Sequence, residues 1–103
     1  MEVDSDENGC LQDIHWYAGL FGYFPTYTIG ALISSQLAFR LRKEIPELDT
    51  DISNGNFKKL IQWLKKNIHS KGSFYSTKKI LVDSTKSKLN VEFFQNYINQ
   101  KYL

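Results

Sequence analysis

Asp13 and His15 stand two positions apart in "GCLQDIHWYAGLFGYFPTY", the stretch from Gly9 to Tyr27. In an extended segment, residues i and i+2 point the same way, so this carboxylate and imidazole could face one pocket. A carboxylate at that distance orients a histidine ring and stabilises its protonated form. The same pair could equally be a structural hydrogen bond that pins a loop. Tyr17, Tyr23 and Tyr27 each offer a phenol to a developing negative charge. Packing with a satisfied hydroxyl is the other use of a tyrosine where a loop enters a helix. Cys10 has no adjacent base on a recognisable motif, and neither a G-x-S-x-G elbow nor a phosphate loop is present. His69, the second of the two histidines, sits among lysines near the polar end of a helix, where it reads as solvated decoration. Neither histidine has a carboxylate or another histidine at i+3 or i+4, so no helical metal pair exists.

These side chains need a frame. Residues 1–8 read as a flexible acidic arm, polar and without periodicity. Residues 9–25 are dense in glycine and aromatics and read as an ordered, largely irregular segment, with a helical turn near Gln12–Trp16. Pro25 suits the first turn of a long helix running to about Lys43. Ile29, Leu32, Ile33, Leu37 and Leu41 give that helix an apolar face. Gly30, Ala31, Ser34, Ser35 and Ala38 give it a second face of small residues, a pattern normally covered from both sides. A short helix follows Pro46 and stops at Asn54-Gly55. Asn56 can cap a helix whose apolar positions are Phe57, Leu60, Ile61, Leu64 and Ile68. Gly72 ends it. Ser76 or Thr77 can cap a helix holding Ile80 and Leu81, and Asn90 can cap the last one, lined by Phe94, Tyr97, Ile98 and Tyr102. The pattern predicts an all-α fold, with about five helices after an aromatic loop.

Composition bounds the function classes. At 103 residues the chain fits one domain with a modest core. No apolar run reaches the ~18 residues that span a bilayer, and the polar start is not a secretory signal, so the expectation is a cytoplasmic protein without a membrane partner. The single cysteine allows no intrachain disulfide and no cysteine-based zinc site. Acidic residues gather at the front, while Lys58, Lys59, Lys65, Lys66, Lys71, Lys78, Lys79, Lys86 and Lys88 are opposed in their own stretch only by Asp83. Such a stretch either solvates outer helix faces or attracts phosphates. The second use defines an alternative: a basic helical interaction or nucleic-acid-binding module without catalysis. No recognition helix or RNA-binding aromatic motif supports it, and binding with a steep salt slope would be its signature.

Gly9, Gln12, Asp13, His15 and Trp16 read as G-x-x-Q-D-x-H-W. That pattern resembles a signature of the carboxypeptidase Taq family of zinc metallocarboxypeptidases. "FGYFPTYTIGAL" with Gln36-Leu37 is similar to the family's aromatic loop and long helix. "NFKKLIQWLKKNIHSKGSFYSTKKILVDSTKSKLNVEFFQNYINQKYL" is similar to its C-terminal helices in order.

The resemblance implies that residues 9–103 form the C-terminal helical segment of an all-helical zincin (neurolysin-like) catalytic domain. It implies peptide substrates shortened from the C-terminus, a zinc held by H-E-x-x-H and a downstream Glu, and a cytosolic homodimer. It places Asp13 and His15 near the scissile bond or substrate C-terminus, with Gln12 and Trp16 supporting them on a substrate-binding wall. By analogy with related helical zincins, Tyr23 and Tyr27 are candidate oxyanion donors. The family's H-E-x-x-H is absent from this sequence, as are its H-P-F, D-x-R-x-T and I-R-x-x-A-D motifs. No zinc ligand of the family maps onto any residue here. The expectation is therefore a segment that is inactive alone. It either joins a separate, N-terminal zinc-bearing part or is a remnant, and its apolar faces should stay exposed until covered.

Overall fold

Pro25 opens the helix that organises the molecule. In a computed structural model describing residues 3–103, the chain is all-α. Met1 and Glu2, the start of the acidic arm, lie outside the described residues. The rest of that arm includes a 3-10 turn at Asp6–Asn8, with Ser5 capping it. A second 3-10 turn, Cys10–Gln12, leads into the one-turn helix α1, Ile14–Tyr17. Five longer elements follow: α2 (Pro25–Glu44), α3 (Leu48–Ser53), α4 (Lys58–Asn67), α5 (Thr77–Thr85) and α6 (Glu92–Tyr102).

Helix starts follow local chemistry. Pro25 occupies the first turn of α2, where no amide hydrogen is needed. Ser76 accepts the Lys79 N–H at the start of α5. Asn90 Oδ1 accepts the Glu92 N–H at 2.9 Å while its own amide donates back to the Glu92 carboxylate. Lys86 ends α5 in the left-handed region, with φ 64°.

The helix α2 is the spine, and α3, α5 and α6 all pack against it. Leu41, Leu48 and Trp63 form the buried core, with Leu37, Ile45, Leu60, Leu64 and Ile68 around them. The Trp63 indole N–H donates to Glu44 Oε2. That bond, and next Arg40, hold the Glu44 carboxyl below its ordinary range. Further along α2, Phe39 meets Phe93 of α6 with ring centroids 4.9 Å apart.

Gln36 is the most buried of the described residues, at 1% exposure. Its amide N–H groups face Thr85 Oγ1 at 3.0 Å, Ser87 Oγ at 2.7 Å and the Lys88 carbonyl at 3.0 Å. Its carbonyl accepts the Asn90 N–H at 3.1 Å. One side chain of α2 thus holds the whole α5–α6 turn.

One sequence expectation is corrected. The apolar face of α4 is rotated: Trp63 is buried, whereas Phe57 and Ile61 are exposed. The true seam is Leu60, Trp63, Leu64 and Ile68, because α4 turns toward Leu41 and Glu44 of α2. Every residue of the long helix from Pro25 to Gly30 is exposed, so the start of that helix is uncovered.

The molecule is open for its size. The Cα radius of gyration is 17.7 Å, against about 13 Å for a compact 100-residue domain. The accessible surface is 8146 Å2, against about 6,000 Å2 for a folded 12 kDa monomer. Exposed apolar side chains occur along the whole chain, with Ile14, Tyr17, Phe21 and Tyr27 at the front and Phe74 and Leu103 towards the end. No helix among the described residues is long and apolar enough to cross a membrane. Within the lysine-rich half, Lys59 pairs with Glu47 and Asp51, and Lys71 and Lys79 share Asp83.

Candidate functional site

Asp13 is the N-cap of α1. Its Oδ1 accepts the His15 backbone N–H at 2.8 Å and lies 2.6 Å from His15 Nδ1. The two side chains meet, as the sequence suggests, but by helix capping and not by an extended strand. The cap residue is itself extended, with φ −76° and ψ 126°, and His15 is already helical. The His15 N–H first, and the ring second, hold the Asp13 carboxyl below the usual carboxylate range.

After α1 the chain turns back on itself. Gly19 and Gly22 adopt φ +70° and +76°, conformations that residues with a Cβ rarely adopt. These turns bring the start of α2 against α1. His15 Nε2 then lies 2.9 Å from the Tyr27 hydroxyl, twelve residues on. Phe24 packs at 4.9 Å from the His15 ring, and Tyr23 lies nearly parallel to it at 5.8 Å. Tyr23 and Tyr27 meet edge to face at 5.5 Å. Four of the seven residues singled out in the sequence are therefore in one cluster, Asp13, His15, Tyr23 and Tyr27, while Tyr17 faces solvent.

The other two stand behind it. Trp16 donates its indole N–H to the Cys10 carbonyl at 2.7 Å, and its ring packs against Phe21 and Phe24. Gln12 donates to the Glu7 carbonyl at 2.6 Å. Both polar groups are committed to backbone, so these side chains brace the 3-10 turns that carry Asp13. A shallow depression runs along this side, lined by Gly9, Cys10, Gln12, Asp13, Trp16 and Phe24. Phe24, which sequence reasoning passed over, is the ring that joins the His15 and Trp16 sides. Its place immediately before the helix-opening Pro25 is the signal that marks it.

The described residues do not fit a zinc ion. His15 has one ring nitrogen on Asp13 and the other on Tyr27, so neither is free to coordinate. His69 is exposed on a separate 3-10 turn. No group of three or more His, Cys, Asp or Glu among the described residues could hold a metal. Cys10 is exposed and free. The cluster can orient a carbonyl-bearing ligand, donate phenolic hydrogen bonds and present flat apolar surface.

Comparison with known proteins gives the setting. The profile of the Carboxypeptidase Taq (M32) metallopeptidase family matches residues 1–102. The chain is 41% identical over 95 residues to thermostable carboxypeptidase 1 of Pyrococcus furiosus, covering 92% of this chain and 19% of that one. It is 37% identical over 98 residues to carboxypeptidase 1 of Bacillus subtilis, covering 95% of this chain and 20% of that one. Among solved structures, a Pyrococcus furiosus carboxypeptidase superimposes with a TM-score of 0.90 at 38% identity, over 100% of this chain and 21% of its own. Trypanosoma cruzi metallocarboxypeptidase 1 superimposes with a TM-score of 0.89 at 37% identity, over 95% of this chain and 21% of its own. The chain spans about a fifth of the length of the relatives it matches. The helical spine, the Asp13–His15 cap and the matched profile agree: the chain belongs to the carboxypeptidase Taq family of metallopeptidases.

Proposed function

We propose that this chain supplies the substrate- and oxyanion-facing wall of a zinc-dependent metallocarboxypeptidase that releases C-terminal amino acids from peptides. In this reading residues 9–103 are the C-terminal helical segment of the catalytic domain. Asp13 and His15 shape the pocket for the peptide, braced by Gln12 and Trp16. Tyr23 and Tyr27 are the donors to the oxyanion. Zinc and the general base reside in an N-terminal H-E-x-x-H-bearing part. The active assembly is a cytoplasmic homodimer of the kind the family resemblance implies, and this chain alone releases nothing.

One observation supports the reading above all others. The Asp13–His15–Tyr27 chain sits at the edge of a bare aromatic surface. Ile14, Tyr17 and Phe21 are 74%, 82% and 75% exposed, and Tyr27 is 57% exposed. Aromatics this dense are not stable in water as a free face, since apolar patches beyond a few hundred Å2 mark contact surfaces. Phenols at such a face become strong donors only when water is excluded from it.

The test is complementation. The chain is mixed with zinc and the zinc-bearing portion of a carboxypeptidase of this family that lacks this segment, and C-terminal amino-acid release is assayed. Release only in the complete mixture is the expected result. A stable complex with no release refutes the proposal.

A further inference from the structure

Tyr27 has one hydroxyl proton, and the geometry around His15 decides where it points. Asp13 Oδ1 lies 2.6 Å from His15 Nδ1. A bare nitrogen lone pair against an ionised carboxylate at that distance is repulsive, so Nδ1 carries the hydrogen and donates it. In the neutral ring, Nε2 is then a lone pair, and the Tyr27 hydroxyl 2.9 Å away donates to it. Its proton is therefore turned inward. When the ring takes a proton from solvent at Nε2, the bond reverses. Nε2–H then donates to the Tyr27 oxygen, and the phenol proton is free to point outward. The only net change is one proton gained by the imidazole. Tyr23 is placed differently, because His15 Nε2 holds the Tyr27 hydroxyl while Tyr23 meets the ring only by stacking.

We infer that Asp13, His15 and Tyr27 form a carboxylate–imidazole–phenol relay in which His15 is a positioning residue. It sets whether Tyr27 donates inward or outward and leaves Tyr23 as the unencumbered donor. The ionisable groups in contact with the His15 ring are Asp13, Tyr23 and Tyr27; Phe24 adds a ring without charge. The consequence for peptide hydrolysis rests on the function proposed above, but the relay itself does not.

The relay is tested on the full chain with nitrogen-15-labelled histidine, by long-range proton–nitrogen correlation across pH. There are two histidines in the sequence, and the exposed His69 is the internal reference. The neutral His15 ring is expected as the Nδ1–H tautomer, the reverse of the Nε2–H form that a free side chain favours and that His69 will show. Asp13→Ala returns His15 to the free-side-chain form. Asp13→Asn keeps an oxygen that can accept both the His15 N–H and Nδ1–H, so it is expected to keep both α1 and the tautomer. Tyr27→Phe leaves the tautomer and moves the Nε2 resonance toward that of an unbonded lone pair. An Nε2–H tautomer at His15, or an Nε2 resonance indifferent to Tyr27→Phe, overturns the relay.

In a complemented assembly, Tyr27→Phe should lower kcat by about tenfold or more at acid pH, and far less at alkaline pH. An equal loss at every pH overturns the switching of Tyr27. Absence of any peptidase activity counts against the proposed function alone, and the nitrogen resonances then decide the relay.

Discussion

Gln36→Leu keeps the volume of the most buried side chain among the described residues and deletes its polar head. The amide has two hydrogens to share among Thr85 Oγ1, Ser87 Oγ, Ser87 O and Lys88 O, all within 3.3 Å. Its carbonyl takes the Asn90 N–H. At most three hydrogen bonds are lost together, each with a net value of about 1 kcal/mol. Thr85 Oγ1 keeps its bond to the Ser87 carbonyl, so the groups that lose their partner are the Asn90 N–H, the Lys88 carbonyl and the Ser87 hydroxyl. The expected loss is about 2–4 kcal/mol of unfolding free energy. Urea denaturation followed by far-ultraviolet circular dichroism measures it. Ser34→Ala, which removes one local bond on the exposed side of the same helix, is the control and should stay within ~0.5 kcal/mol. Amide exchange adds a local readout, because the Asn90 N–H should lose its protection before the Leu41–Trp63 core does. A Gln36→Leu loss no larger than the control's would show that packing, and not this amide, holds the α5–α6 turn to α2.

Other outcomes follow from the same geometry. The Asp13 carboxyl is held below its ordinary range, so its contribution is present above the unfolded-state value and is lost as pH falls through the lowered one. Tyrosine and tryptophan near-ultraviolet signals from residues 13–27 should therefore fade in that acid range, and Asp13→Asn should abolish the transition. Phe21→Ser should leave chain stability within ~0.5 kcal/mol, because the side chain is 75% exposed, yet weaken association with a zinc-bearing part by about tenfold or more in titration calorimetry. Lys86→Gly should stabilise the chain by about 1 kcal/mol in urea denaturation, because glycine adopts the φ of 64° without Cβ strain.

What the sequence makes legible is mostly local. Pro25, Ser76 and Asn90 carry their helix-start chemistry in their own side chains, and the structure uses each of them so. The Asp13–His15 contact is similarly local, spanning two residues. Reaching it from extended geometry gives the right pair for the wrong backbone, because a capping aspartate also reaches two residues ahead. The Tyr27–His15 bond was not legible. It depends on two left-handed glycines folding α1 back onto α2, and no periodicity encodes the direction of that fold.

Gln36 was not legible either. A single glutamine on a helix carries no mark of burial in its periodicity, and its partners lie about fifty residues on in the α5–α6 turn. The rotation of α4 has the same origin. Its apolar residues span more than one face, and the choice of Trp63 over Ile61 follows from where Glu44 stands on α2. The open surface, by contrast, is foreshadowed by composition, since aromatics so dense in residues 9–27 exceed what the following helices can cover.

The most direct measurement on the proposed wall is the kcat of a complemented assembly carrying Tyr23→Phe, beside Tyr102→Phe as a remote control at the far end of α6. If Tyr23 donates to the oxyanion, kcat falls by about 10²–10³ with KM little changed, the signature of an interaction made only in the transition state. Tyr102→Phe leaves both constants where they were. An unchanged kcat, or a rise in KM alone, would contradict the account, because it would make this aromatic face a surface that holds peptide without stabilising its transition state.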